Sequence, residues 1–283
     1  MQTSQISYAK INLFIDVLAK LDSGYHQIRT IFSEIDLCDK LNFVLTKKGS
    51  IKILTNKDFV SVENNLIYKV AIFIKQKYNV QCGAEIELEK NIPISAGLGG
   101  GSSNAAHTIL ALSQLWDLNL SKTEMHQIAE IFGSDINFFL EGGTALGENR
   151  GEIISLQNDL EIENIFLINP GFEISSKEAY QLVNISTENQ NWSKILTKKD
   201  MRFCFNKLEE EISRKYPVIK NIIDYLKDNG ASNAILSGSG ATIIGFCPDF
   251  QTAQKFETYY SKKGFWNIIT KTKRRIQNGN YRC

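Results

Sequence analysis

Proline is scarce in this 283-residue chain, with four residues, too few for a collagen-like or proline-rich linker protein. Cysteine is sparse as well: Cys38, Cys82, Cys204, Cys247 and Cys283 are odd in number and form no Cys-x-x-Cys pair. That argues against a disulfide framework and for a reducing compartment. The three histidines, His26, His107 and His126, show no metal-ligand spacing, so a structural zinc site is not expected. No apolar run approaches the roughly 18 residues of a membrane span, and residues 1–10 hold no basic region followed by an apolar core. An excess of charge of one sign is also missing. Lys and Arg total 32 against 31 Asp and Glu, a net +1, which gives no footprint for nucleic acid or anionic lipid. The basic run at residues 271–275 reads as a solvated face or a frayed terminus. A hydrophobic fraction of 43% with 22% charged residues excludes wholesale disorder. The expectation is a cytoplasmic globular protein of one large or two moderate domains, with no nucleic-acid or membrane partner and an open oligomeric state.

Local patterns place the elements. Strands are predicted over residues 9–18, 26–35, 41–45 and 51–55, with Lys47-Lys48-Gly49-Ser50 as a hairpin-type turn between the last two. Residues 65–78 take up helical spacing, and Ala84-Glu85-Ile86-Glu87-Leu88-Glu89 alternates strictly, the clearest strand in the chain. Ser121-Lys122-Thr123-Glu124 is a capping box that starts a helix ending near Phe132. In the second half, strands are predicted at 165–169, 233–236, 241–246 and 266–271. Helices are predicted from Ser176, around Pro217 and over 250–260. The acidic stretch 156–163 marks a domain boundary only weakly.

After the alternating strand comes Pro93-Ile94-Ser95-Ala96-Gly97-Leu98-Gly99-Gly100-Gly101-Ser102-Ser103-Asn104, then an Ala- and Leu-rich helix to about Trp116. Strand, glycine turn and helix together bind phosphate: glycines let backbone N–H groups approach the anion, and the helix N-terminus adds partial positive charge. Ser102, Ser103 and Asn104 are expected either to cap the helix or to donate to phosphate. The turn is not a Walker loop, because no Lys occurs between Asn91 and Thr108. A dinucleotide fingerprint would need Gly at Ser102 or at Asn104.

These residues resemble the GHMP kinase superfamily, whose central Pro-x-x-x-Gly-Leu-Gly motif is matched from Pro93 to Gly99. Leu236-Ser237-Gly238-Ser239-Gly240-Ala241-Thr242 is similar to its C-terminal glycine motif. One branch, which acts on a cytidine diphosphate-linked substrate, is resembled more closely. The matching segments are Ala9-Lys10-Ile11-Asn12-Leu13, Gly24-Tyr25-His26, the run from Gly97 to Ala106, Gly133-Ser134-Asp135 and Asn169-Pro170-Gly171. The chain departs from that branch at Tyr8, where Pro is usual, at Ser23, where Asp is usual, and at Ile136-Asn137, where Val-Pro is usual.

The resemblance implies an α+β protein with the two-lobed GHMP kinase fold: an N-terminal ATP-binding domain over residues 1–155 and a C-terminal α/β domain over residues 156–283. It implies ATP and Mg²⁺ as cofactors. The implied reaction is transfer of the γ-phosphoryl group to the 2-hydroxyl of 4-diphosphocytidyl-2-C-methyl-D-erythritol, in the non-mevalonate isoprenoid route. By that resemblance Asp135 is the general base and Lys10 its electrostatic partner, and Pro93, Ile94, Ser95, Ala96, Gly97, Leu98, Gly99, Gly100, Gly101, Ser102 and Ser103 hold the nucleotide. Tyr25 stacks on the cytosine, His26 reads its edge and Tyr180 closes the other face. Asn12, Ser176, Ser237, Gly238, Ser239 and Gly240 complete the substrate site, while the Mg²⁺ ligand is unassigned, with Ser103 or water as candidates. From the residues alone, Asp135 reads equally as a helix N-cap and Lys10 as a solvated strand cation. Tyr25 and Tyr180 read as packing aromatics, and residues 237–240 as a tight turn between strands.

Overall fold

Two long apolar-rich stretches near the N-terminus form strands far longer than expected, β1 (Gln2–Lys20) and β2 (His26–Thr46). A computed structural model describes residues 1–57, 61–185 and 189–275; Cys283 lies outside them. The described chain divides into two compact units. The first holds Met1–Ala9, Leu37–Ile94 and Gly99–Leu140, and the second holds Lys10–Asp36, Ser95–Leu98 and the residues from Glu141 onward. The units therefore do not follow chain order: the stretch 1–155 contributes to each, because β1 and β2 have residues in both.

In the first unit the sheet order is β3-β4-β2-β1, with β3 at Ile51–Thr55 and β4 at Gly83–Glu89. The expected hairpin between residues 41–45 and 51–55 does not form. Instead β4 lies between them, antiparallel to β2 from Lys40↔Glu89 to Thr46↔Gly83 and parallel to β3. The alternating face of β4 explains this. It buries Ala84, Ile86 and Leu88 and leaves Glu87 and Glu89 in water, so it gains more as a central strand than β3, which stays half exposed at the edge. Helix α1 (Leu66–Lys77) begins at Asn65, whose side chain accepts the Ile67 N–H at 2.9 Å, and it packs on α2 (Gly100–Leu115). The capping box at Ser121 and Glu124 is present at the start of α3 (Lys122–Phe132), and α4 (Ser134–Glu141) follows after Gly133.

In the second unit β2 pairs with β5 (Thr144–Asn149), and β5 with β6 (Ile153–Leu156), a hairpin the sequence reading did not place. A second sheet joins β7 (Ile165–Asn169), β9 (Asn233–Leu236), β10 (Ile243–Phe246) and β11 (Trp266–Thr270) in the order β11-β7-β10-β9. The two-residue β8 (Phe205–Asn206) runs parallel to β1. The helices are α5 (Ser176–Leu182), α6 (Trp192–Lys198), α7 (Glu209–Lys215), α8 (Pro217–Asp228) and α9 (Phe250–Ser261). Phe166, Ile168, Ile212, Ile219, Leu226, Ile243 and Phe256 share one core there. The acidic stretch read as a boundary is the partner of the basic run: Arg274 pairs with Glu161 at 2.5 Å and Lys271 with Glu163 at 3.7 Å. Arg275 takes Asp159 and the carbonyls of Glu141, Gly142 and Thr144.

Glu34 of β2 is buried, and its Oε2 accepts the Gly143 N–H at 2.8 Å. Burial pushes its carboxyl up to about 7, only partly opposed by that hydrogen bond and by Lys273 and Arg275. Between the ordinary value of 4.5 and about 7, the folded form holds a proton that the unfolded chain has lost. Stability from this group is therefore full below the lower value and declines as pH rises toward the upper one. Urea denaturation at about pH 5 and about pH 8 is expected to show the smaller loss of stability on raising pH in Glu34→Gln than in the unsubstituted protein. Equal slopes would refute a shifted Glu34.

Candidate active site

The glycine turn is built by close approaches that side chains would block. Gly99 precedes α2 in the left-handed region at φ 68°, and no side chain caps the helix. Ser102, Ser103 and Asn104, expected as possible caps, lie within the first turns of α2 instead. No hydrogen bond among the described residues reaches the amides of Gly100, Gly101 or Ser102. Three such donors at a helix N-terminus are a ready anion cradle. A Cβ on Gly100 would stand 2.8 Å from the Lys90 Nζ and 2.9 Å from Ile92 Cγ2, so only glycine fits there.

A buried polar network supports this turn from beneath. The Lys90 ammonium bonds Asp39, both almost wholly buried. The Asp39 carboxylate also accepts the N–H groups of Asn91 at 2.8 Å and Ile92 at 2.9 Å, and the Asn104 amide at 2.9 Å. Asn104 further donates to Ser7 Oγ at 2.8 Å, and Ser7 donates to Ser103 Oγ at 2.7 Å. Burial pushes the Lys90 ammonium down, with Asp39 offsetting part of that. Sequence reading missed Asp39 and Lys90 because Cys38-Asp39-Lys40 and Glu89-Lys90-Asn91 look like solvated strand ends.

In the second unit, Lys10 is not a solvated cation. It is 4% exposed, and its Nζ donates to Asn12 Oδ1 at 2.5 Å. Asn12 donates to Thr30 Oγ1 at 2.8 Å, and Thr30 donates to the Phe14 carbonyl at 2.7 Å, so the orientation of Lys10 is relayed from β1 through Thr30 of β2 and back to the β1 backbone. The Lys10 backbone N–H bonds the Leu98 carbonyl at 3.0 Å. Ser95 and Gly97 are left-handed, at φ 51° and 77°. Ser237 Oγ donates to the Gly97 carbonyl at 3.2 Å. Residues 237–242 join antiparallel β9 and β10, so the second glycine motif is a turn between strands. Its amides at Gly238 and Ser239 meet no acceptor among the described residues. Asn206 holds it by donating to the Leu236 and Gly238 carbonyls, each at 2.8 Å, and Ser176 and Ser239 are hydrogen-bonded at 3.2 Å.

The aromatic candidates fall on the same unit. His26 and Tyr180 stack with centroids 5.5 Å apart and planes at 21°. Burial, then Lys20, pushes the His26 imidazole down, which favours the neutral ring. Tyr25 is 58% exposed, and the Arg150 guanidinium lies 5.1 Å from its centroid. Arg150 carried no signal in the sequence. Asp135, in the first unit, is half-buried within the first turn of α4. Its neighbour Asn137, where proline was expected from the resemblance, is buried and bonds His126 Nδ1 at 2.9 Å. No group of three or more His, Cys, Asp or Glu among the described residues could hold a metal ion, and no helix among them is long and apolar enough to cross a membrane.

Residues 65–143 match the family model of the GHMP kinases N terminal domain, and residues 189–264 that of the GHMP kinases C terminal domain. A homoserine kinase structure from Cytophaga hutchinsonii shares the fold at a TM-score of 0.72 and 16% identity, over 98% of this chain and 96% of that one. The expected fold and enzyme class are thereby shown: an ATP-dependent kinase with N- and C-terminal GHMP domains. A 4-diphosphocytidyl-2-C-methyl-D-erythritol kinase of Thermoanaerobacter pseudethanolicus is 40% identical over 261 residues, 88% of this chain and 89% of that protein. Its counterpart from Clostridium perfringens is 34% identical over 278 residues, 94% and 96% of the two chains. The crystal structure of a 4-(cytidine 5'-diphospho)-2C-methyl-D-erythritol kinase superimposes with a TM-score of 0.81 at 26% identity, covering 96% of this chain and all of that one. The chain belongs to the 4-diphosphocytidyl-2-C-methyl-D-erythritol kinase family.

A Cβ on Gly97 would stand 2.1 Å from the Ser237 carbonyl oxygen, in a backbone conformation that itself costs about 1–2 kcal/mol for other residues. Gly97→Ala is expected to lower the melting temperature and to abolish the stabilisation that ATP gives the unsubstituted protein in a thermal-shift assay. An unchanged response to ATP would remove this turn from nucleotide binding.

Proposed function

We propose that this chain transfers the γ-phosphoryl group of ATP to the 2-hydroxyl of 4-diphosphocytidyl-2-C-methyl-D-erythritol, as a cytoplasmic enzyme of isoprenoid precursor synthesis. The observation that carries the reading is the 34–40% identity, over most of the chain, to kinases named for that substrate. The open amides at the start of α2 support it independently, because they are donors without acceptors among the described residues, at a place where a triphosphate would supply oxygens.

In this reading residues 93–103 cradle the nucleotide phosphates, and the open amides of Gly238 and Ser239 take anionic oxygens of the substrate. Asp135 accepts the proton of the substrate hydroxyl as its oxygen attacks the γ-phosphorus, and the bond to the β,γ-bridging oxygen breaks to release ADP. Lys10, oriented by Asn12, opposes the negative charge that builds on the transferring group. Tyr25, His26 and Tyr180 recognise the cytosine, and Ser176 and Asn12 take the methylerythritol portion. The nucleotide-binding domain is assigned to residues 1–155 and the C-terminal domain to residues 156–283.

Mg²⁺, when bound with the nucleotide, neutralises β- and γ-phosphate oxygens. This chain fits an ion held mainly by phosphates and water, since the described residues offer no acidic cluster. The Ser103 hydroxyl is fully buried and engaged by Ser7, so it is a poorer candidate ligand than water.

Purified protein with Mg-ATP and the cytidine diphosphate-linked tetritol is expected to release ADP in a coupled assay, and CDP is expected to compete. Absence of turnover would defeat the proposal, and turnover insensitive to CDP would point to another small-molecule alcohol. Asp135→Asn is expected to lower kcat by about 10²–10⁴-fold with KM nearly kept. An unchanged kcat would remove Asp135 from the base role.

A further inference from the structure

The head of the β5–β6 hairpin presents a cation that the proposed reaction leaves unused. Asn149 and Gly151 adopt left-handed backbone, at φ 60° and 99°, and the Gly151 N–H closes the turn on the Glu148 carbonyl at 2.9 Å. Glu152 then ties the turn to itself. Its carboxylate accepts the Asn149 amide at 2.6 Å, the Arg150 backbone N–H at 2.8 Å and Arg150 Nε at 3.3 Å. Glu152 is 11% exposed and Arg150 34%, so the guanidinium stands on a short, well-held base with its outer edge in water. Neither Nη meets an acceptor among the described residues.

The guanidinium that this scaffold supports lies over the ring of Tyr25, with Cζ 5.1 Å from its centroid. Tyr25 sits on the turn from β1 to β2, closed by the Leu21 N–H on the Tyr25 carbonyl at 2.8 Å, and more than half of it is solvent-exposed. A ring that exposed would sample several rotamers, and ordering it at the moment of ligand binding costs free energy. A guanidinium over one face lowers that cost and closes the face to other partners.

We infer that Arg150 is a positioning residue for base recognition: it braces Tyr25 from one side, so that a pyrimidine stacks only on the opposite face of the ring. Glu152 and Asn149 hold Arg150 for that purpose. The inference rests on the proposed role of Tyr25 in binding the cytidine portion and adds a residue that acts on the substrate through Tyr25 rather than by touching it.

The test is a double-mutant cycle read by steady-state kinetics and by calorimetry with CDP. Arg150→Gln is expected to raise KM for the cytidine-linked substrate, and Kd for CDP, by about three- to fivefold, with kcat, KM for ATP and melting temperature unchanged. Arg150→Lys, which keeps a cation but not the plane, should recover part of the loss. In a Tyr25→Leu background, Arg150→Gln should add nothing further. An unchanged KM in the single variant, or losses that multiply in the double variant, would overturn the inference; the second result would mean that Arg150 contacts the substrate itself. If the unsubstituted protein binds no CDP, the cytidine reading fails first and this inference falls with it, a result distinct from CDP binding that ignores Arg150.

Discussion

Backbone amides that meet no partner among the described residues are the constraint around which the rest is arranged. A helix begins with N–H groups it cannot satisfy, and α2 begins with glycines and no capping side chain. A Ser or Asn cap is missing because Gly99, which has no side chain, holds the N-cap position; Ser103 and Asn104 follow inside the helix and turn into the buried network with Ser7 and Asp39. Donors so placed are what the proposed function assigns to the nucleotide phosphates. Keeping them so requires the left-handed turns at Ser95, Gly97 and Gly99, and a floor rigid enough to hold that backbone.

That floor is electrostatic. Asp39 gathers an ammonium, two backbone amides and a carboxamide, which together compensate a carboxylate removed from water. In the second unit a smaller relay of neutral groups, Thr30 to Asn12 to Lys10, does comparable work for a cation. In each case a charged side chain that itself projects from a strand is held by hydrogen bonds that end on backbone: the Asn91 and Ile92 amides for Asp39, and the Phe14 carbonyl for the relay to Lys10.

Much of this was legible in the sequence. The capping box at Ser121, the alternating strand at 84–89, the helix start at Pro217 and the glycine turn are local signals, and local physics decides them. Sheet order was not legible. The placement of β4 between β2 and β3 depends on which strand gains most from having neighbours on both edges, a comparison among segments far apart in sequence. The hairpin β5–β6 was missed because Gly147, Asn149 and Gly151 break its apolar pattern. Asp39, Lys90 and Arg150 were invisible because a charged residue looks the same in sequence whether it faces water or a buried partner. Lys10 and Asp135 stood out only through the motifs around them.

The interleaving of the two compact units bears on how the chain comes off the ribosome. The first unit needs residues up to Leu140 before its last helix exists, and the second needs residues 10–36 and 95–98 together with the described residues from Glu141 onward. The N-terminal half of the nascent polypeptide therefore emerges with two long strands, each having one part whose neighbours are already made and one part still waiting. Residues 28–33 meet β5 only after more than half the message has been translated. Such a strand is sticky while it waits. Efficient synthesis of this enzyme should accordingly depend on the pace of elongation through its middle third, and on whatever shields apolar strand surface during that interval.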